Sequence, residues 1–419
     1  MNVLWFSHLV PYPPSGGVFQ RSFNLIREVS KLHTVHLVAF NSHGLPRGLL
    51  DEYSKALRMY CERVEFWEMP IPWRRGLRWW MGLAASLFSS VPYNCQCFWS
   101  KELAARWRGV LEERRDFLVH FDILDLALYS DAAADLPKVL NHHNCESVLI
   151  LRRGRNEKNP LKKAYLLNQA QKLARLEREI CPRFKVNVVC SEIDAQALRD
   201  HGARIHTHLV ENGVDTEYFR PVQGAEEPDT LIFAGLLNWE PNVAGIRYFV
   251  HEIWPLIGRD HPGVRLYLAG RDPVPSITRL QAEDRGIVVV PNPEDMRPWS
   301  ARAMVFICPI LAGGGTRLKI LDALAMGKPV VSTSIGCEGL RVQDGEHLLI
   351  ADDPKSFATA VCRLLENAPL RQRLATAGRA LVESEYNWEV IGRCLEEAYR
   401  CALGAGTCDR PRRASSSGA

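Results

Sequence analysis

Several common signatures are missing from this sequence, and each gap narrows the field. No stretch of about 18 consecutive apolar residues occurs, so a spanning helix is not expected. The opening Met-Asn-Val-Leu-Trp-Phe-Ser carries no basic leader followed by a cleavage site, and reads as a first strand. Neither sign of charge dominates: 52 basic residues face 48 acidic ones, for a net charge of +4. No global affinity for polyanions follows, and no motif or strongly basic face points to nucleic acid. The 12 cysteines are scattered, with Cys95 and Cys97 closest together and no spacing of the zinc-site kind. Reduced thiols in a cytosolic protein are the simplest reading. Gly-x-Gly-x-x-Gly is absent, which weakens a dinucleotide-dehydrogenase reading. No Asp-x-Asp pair sits in a loop suited to hold a catalytic metal.

What is present is an ordinary globular composition, 47% apolar, over 419 residues. That length suits two domains better than one core. Short apolar runs alternate with amphipathic stretches. Val3–Phe6, Val35–Phe40, Phe117–Phe121, Val139–His142 and Val186–Cys190 read as buried strands, with another at Ile205–Val210. Leu231–Ala234, Val264–Ala269, Ile287–Val290, Met304–Cys308 and Pro329–Ser332 repeat the pattern. Arg21–Leu32, Ala164–Glu179, Val243–Ile257 and Pro354–Asn367 read as helices between them. Alternation of this kind predicts βαβ units and parallel sheets covered on both faces. The fold class is therefore α/β with two doubly wound, Rossmann-like domains. The turn-forming Glu211-Asn-Gly-Val-Asp215 marks the division. We place the first domain at 1–210 and the second at 211–386. A helix over 387–403 is expected to return to the first domain, and the polar tail 404–419 to be disordered.

The segment richest in chemistry is Gly313-Gly-Gly-Thr-Arg-Leu-Lys-Ile-Leu-Asp322. It follows an apolar strand and opens a helix. Glycines allow close approach of the backbone, and the free N–H groups of a first helical turn favour an anion. Arg317 and Lys319 add full charges, so the loop reads as a phosphate or diphosphate cradle. Open α/β sheets bind ligands beyond the carboxyl ends of their strands. Pro13-Pro-Ser-Gly-Gly17 and Gly235 follow strands in the same way.

Together these segments resemble the family 4 retaining glycosyltransferases of GT-B fold. The residues that carry the likeness are Pro11-Tyr-Pro-Pro-Ser-Gly-Gly17 with Arg21, Leu140-Asn-His-His-Asn-Cys-Glu-Ser147 and Glu211-Asn-Gly-Val-Asp215. They continue with Phe233-Ala-Gly-Leu-Leu-Asn-Trp-Glu-Pro-Asn242 and the block from Gly313 to Thr333. The likeness runs from about Asn2 to Leu403 and is nearest to bacterial enzymes of exopolysaccharide and cell-surface glycan synthesis. It implies two Rossmann-like domains facing across a cleft, and transfer of a sugar from a nucleotide diphosphate donor with retention. It implies no cofactor and no metal ion. Donor binding is expected at Gly16, Gly17, Gly314, Gly315, Thr316, Arg317, Lys319 and Asp322, with His143 as the catalytic residue. A front-face mechanism follows from the same likeness, the departing phosphate oxygen helping to deprotonate the acceptor.

Two departures from the family pattern stand out. Family members commonly carry two glutamates where this sequence has Gly314 and Asp322. An Arg and a Lys usual near the start of the second domain are replaced by Leu236 and by Pro241 or Asn242. Arg317 and Lys319 are expected to take over the diphosphate.

On the acceptor side, Ile71–Phe88 mixes three arginines with three tryptophans before turning apolar, and Arg152–Lys163 is basic again. Both suit an anionic membrane surface and a glycan or lipid-linked acceptor. The expected location is cytoplasmic, peripheral on the inner face of the membrane. Competing readings are a GT-B sugar-nucleotide epimerase or hydrolase, and a non-catalytic nucleotide-sugar-binding protein.

Overall fold

The computed structural model describes residues 1–405, apart from 15, 72–75, 134, 203, 223, 225 and 313–316. It divides into two compact units, Met1–Glu211 with Ile391–Ala419, and Asn212–Val390.

The first unit is built on seven parallel strands: β1 Asn2–Ser7, β2 Thr34–Asn41, β3 Arg63–Glu68, β4 Phe117–Phe121, β5 Lys138–His142, β6 Val186–Val189 and β7 Thr207–Leu209. Their order is β3-β2-β1-β4-β5-β6-β7, a doubly wound sheet. Strands β1, β4 and β5 lie at its centre. Val3, Leu4 and Trp5 on β1 and all five residues of β4 and β5 are buried. Such two-sided burial is why these strands read as unbroken apolar runs rather than alternating ones. The edge strand β3 (Arg-Val-Glu-Phe-Trp-Glu) buries only Val64, so its sequence alternates and gives no such run. The helix Trp388–Ala402 supplies Tyr399, whose hydroxyl meets His120 Nδ1 at 2.9 Å.

The second unit holds β8 Thr230–Ala234, β9 Arg265–Gly270, β10 Ile287–Pro291, β11 Val305–Cys308, β12 Val330–Ser332 and β13 Leu349–Ile350. These six strands are parallel, in the order β10-β9-β8-β11-β12-β13. At the ends of β8 and β9 the backbones crowd together: a Cβ on Gly270 would lie 1.7 Å from the Gly235 carbonyl oxygen. Only glycine fits there. The helix expected over Val243–Ile257 is interrupted. Glu240–Tyr248 passes through a π turn at Phe249–Ile253 into Trp254–Asp260. Pro255 explains the change, since it has no N–H to return to the carbonyl one turn earlier.

Among the described residues, no helix is long and apolar enough to cross a membrane.

Candidate active site

In each unit the residues that leave the central strands gather at the carboxyl edge of the sheet, where open α/β folds hold their ligands. In the first unit β1 ends at Ser7, β4 at Phe121 and β5 at His142, so the next residues are His8, Asp122 and His143. Register therefore brings two imidazoles and a carboxylate together from three adjacent strands.

Asp122 is the hub of this cluster and is fully buried. Its Oδ2 accepts from Ser22 Oγ at 2.6 Å and Ser7 Oγ at 3.3 Å, and its Oδ1 accepts from Asn141 Nδ2 at 3.0 Å. His143 Nε2 lies 3.5 Å from Oδ1. Burial alone would raise the Asp122 pKa. The His143 charge interaction and hydrogen bond, with His8 and His120 behind them, outweigh it and hold the carboxyl well below its usual range. The ionised carboxylate therefore faces His143 Nε2 and orients the ring. His8, whose ring centre is 5.6 Å from that of His143, is pushed down to about 3 by burial and by His143, so it stays neutral. His8, Asp122 and His143 offer ligating atoms within 4.8 Å of one another, a set able to hold a cation. The Asp122 oxygens are, however, already engaged by Ser7, Ser22 and Asn141.

His142 faces away, as strand alternation predicts, and its Nε2 meets Asn187 Oδ1 at 3.1 Å. Burial lowers it to about 4. The His143 carbonyl accepts from Cys190 Sγ at 2.9 Å, which anchors its backbone to the end of β6. Arg21 is 1% exposed and is tied inward. Its guanidinium donates to Asn141 Oδ1 at 3.0 Å and to the carbonyls of Val210 and Glu211 at 2.8 and 3.0 Å. Gly16 and Gly17 open the helix Gly17–Ser30 with φ of 110° and 50°, and an added Cβ on either meets nothing within 4 Å. They are glycine for backbone conformation rather than for crowding.

In the second unit Arg317 caps the helix Leu318–Ala325, placing Lys319 and Asp322 on its first two turns. Lys319 Nζ donates to Asn242 Oδ1 at 2.8 Å and stands 4.2 Å from the centre of the Phe233 ring. It lies directly under Gly235, where a Cβ would come within 2.9 Å of Nζ. Asn242 is oriented by donating from Nδ2 to the Leu236 carbonyl at 2.7 Å. Burial is the main force on this ammonium and brings it down to about 8; the neighbouring Arg317 charge also lowers it, while Cys308 and Asp322 oppose. Lys319 thus rises into the loop after β8, around the two positions where the resemblance places basic residues that this sequence lacks. Gly314, Gly315 and Thr316 lie outside the described residues.

Sequence reasoning missed Asp122, His8 and Ser22. The available signal was positional: an Asp directly after the buried run Phe117–Phe121 has to emerge at the binding edge of the sheet.

Two family models match the chain, one described as Glycosyltransferase Family 4 over residues 15–218 and one as Glycosyl transferases group 1 over residues 228–367. The chain belongs to the family 4, group 1 glycosyltransferases. An uncharacterized 44.6 kDa protein in the cps region of Klebsiella pneumoniae is 27% identical over 164 residues, covering 38% of this chain and 42% of that one. The chain thus spans less than half the length of that curated relative. Sucrose-phosphate synthase from Thermosynechococcus elongatus superposes with a TM-score of 0.69 at 18% identity, covering 97% of this chain and all of that one. Anabaena HepE, in complex with UDP and glucose, gives 0.63 at 16% identity, covering 95% and 98%. At these identities the likeness establishes the GT-B fold, two parallel-sheet Rossmann-like domains, for this glycosyltransferase.

Proposed function

We propose that this glycosyltransferase moves a sugar from a nucleotide diphosphate donor to a glycan or lipid-linked acceptor, with retention, in the synthesis of a cell-surface polysaccharide. The observation that carries the donor assignment is Lys319 Nζ, partly desolvated, held 2.8 Å from Asn242 Oδ1 at the β8 strand end on the helix that Arg317 opens. Two cations and a helix N-terminus suit a leaving group whose negative charge grows as the glycosidic bond breaks. In this reading Arg317 and Lys319 stabilise that charge without a metal ion, and Asp322 accepts from the ribose diol. His143, oriented by Asp122, hydrogen-bonds the reacting sugar. The relative from a cps region and the HepE complex with UDP and glucose both support the reading.

The acceptor assignment rests on the helix Leu77–Phe88. Its outward residues Trp80, Met81, Ala84, Ala85, Leu87 and Phe88 are all apolar and exposed, Phe88 at 93%. Its other side is fastened down, with Ser86 Oγ 3.0 Å from the Tyr165 hydroxyl. No acidic residue occurs between Glu68 and Glu102, while Arg74, Arg75 and Arg78 do. An apolar helical face in a stretch of sequence free of acidic residues supports contact with an anionic bilayer surface, in this reading that of the cytoplasmic leaflet.

A panel of nucleotide sugars, screened for binding and for acceptor-free release of nucleotide, tests the donor assignment. Absence of binding by every nucleotide sugar overturns it. Co-sedimentation with anionic but not neutral vesicles is expected for the membrane contact. Equal binding to both vesicle types, or none to either, removes it.

A further inference from the structure

Three helices of the first unit converge on a second cluster, separate from the Asp122 hub. Cys145 precedes the helix Glu146–Asn156, Glu177 lies in Pro160–Ile180, and His201 ends Glu192–His201. Their ligating atoms all fall within 4.8 Å of one another. His201 Nε2 is 3.3 Å from Glu177 Oε2. Cys145 Sγ is 3.8 Å from each Glu177 oxygen and 3.9 Å from His201 Nε2. Ser147 Oγ completes the figure, 3.0 Å from His201 Nε2 and 3.5 Å from the sulfur.

Taken with one Glu177 oxygen, these separations give five edges of a small tetrahedron. Zinc bonds of about 2.3 Å to sulfur and about 2.0–2.1 Å to nitrogen and oxygen require edges of about 3.3 Å (N to O) and about 3.5 Å (to sulfur). The Glu177–His201 and Cys145–Ser147 edges already match, the two longer edges to sulfur exceed these lengths by a few tenths of an ångström, and the 3.0 Å Ser147–His201 edge falls short by about as much. Its donor set also selects for one: a thiolate and an imidazole disfavour magnesium and calcium and suit zinc. Charge points the same way. Glu177 is fully buried and Cys145 is 1% exposed. A carboxylate and a thiolate there are costly unless offset, and a divalent cation balances the two. The surroundings already orient the donors, as metal sites require. Asp194 Oδ1 accepts from the Cys145 amide at 2.8 Å, and Glu177 Oε1 accepts from the Ser147 amide at 3.2 Å, leaving Oε2 towards His201. The His201 side chain keeps 20% exposure, which gives an ion a way in.

The geometry points to one structural zinc ion held by Cys145, Glu177 and His201, with Ser147 Oγ at the fourth corner. The clip joins segments far apart in sequence, and because the site is assembled only by the fold, the ion's binding energy adds to folding stability. Because Cys145 is two residues from His143, the ion also fixes the root of the loop that carries His143. It takes no part in sugar transfer, and the assignment does not depend on the donor or acceptor proposed above.

The full-length protein, purified without chelator and dialysed, is expected to retain one zinc per chain by elemental analysis. Replacement with cobalt(II) should produce a thiolate-to-cobalt charge-transfer band and the visible spectrum of a tetrahedral site. Cys145→Ser should abolish the charge-transfer band. His201→Gln should weaken zinc by more than the 10–100-fold typical of losing an outer partner. Cys362→Ser, in the second unit, should change neither. Zinc added to stripped protein should raise its melting temperature, and this rise should vanish in His201→Gln. That variant alters a partly exposed side chain and so provides a readout if Cys145→Ser does not fold. Absence of both retained zinc and a cobalt band overturns the site. So does a charge-transfer band that survives Cys145→Ser.

Discussion

The two strand-end clusters use charge in opposite ways. Around Asp122 the protein supplies both signs: Ser7, Ser22 and Asn141 donate to one carboxylate, His143 Nε2 stands beside it, and it is held firmly ionised. Around Lys319 the burden is positive. Desolvation has already brought the ammonium down to about 8, and the Arg317 charge nearby adds to the load. The first arrangement stabilises the fold and aims a histidine. The second costs the fold something and becomes favourable when an anion arrives. Positioning and binding are thus separable by mutation, because one cluster balances its carboxylate from within the protein and the other is suited to receive an anion.

The largest effect expected is on stability in the first cluster. Asp122→Ala leaves Ser22, Asn141 and His143 without their shared acceptor in a buried setting. Breaking such a buried charge network costs about 3–5 kcal/mol, a large share of the ~5–15 kcal/mol that holds a typical domain folded. Urea denaturation followed in the first unit should show the midpoint falling accordingly. A change below about 1 kcal/mol would mean that the carboxylate is not the hub.

His143→Ala comes next and separates aim from affinity. Turnover should fall by about 100-fold or more, the range for a lost acid–base or hydrogen-bonding group. The donor dissociation constant should stay within about threefold, since the diphosphate is assigned to the second unit. Steady-state kinetics combined with calorimetry checks both. Full transfer activity in this variant would remove His143 from the reaction.

Arg317→Ala should act in the reverse sense. Loss of a charge-assisted bond to phosphate costs about 1.5–3 kcal/mol, which is about 10–150-fold in affinity for the nucleoside diphosphate. Calorimetric affinity equal to that of the unaltered protein would move the diphosphate elsewhere.

How much of this was legible in the sequence follows from where the information sits. Central strands such as β4 and β5 were legible because burial on both faces writes an apolar run into consecutive residues. The edge strand β3 was not, since one exposed face breaks the run. Arg317 and Lys319 stood out because a glycine loop, two cations and a helix start are contiguous. What Lys319 touches did not, for Asn242 and Gly235 are distant in sequence and meet it only through the fold. The same applies to Asp122 beneath His143, and most strongly to Cys145, Glu177 and His201. No local cysteine spacing could reveal three donors carried by three separate helices.

The smallest expected effect is the one that tests the comparison most directly, because it reads the cost and the benefit of one charge. The Lys319 pKa is lowered to about 8 in the folded protein, against 10.5 for the ordinary side chain. A lowered lysine pKa means that folding disfavours the charged form. The penalty is therefore fully present below about pH 8 and disappears as pH rises towards 10.5, so this group alone makes stability increase across that window. Nucleoside diphosphate binding runs the other way, since it needs the ammonium. With a bound-state pKa well above 9, affinity should fall about tenfold between pH 7 and pH 9 as the free lysine loses its proton. Lys319→Met should flatten both dependences and leave stability equal to or above that of the unaltered protein, while weakening the diphosphate at every pH. Binding that stays constant from pH 7 to 9, or a Lys319→Met variant that is clearly less stable, would show that the ammonium is held for the fold. The contrast with Asp122 would then collapse.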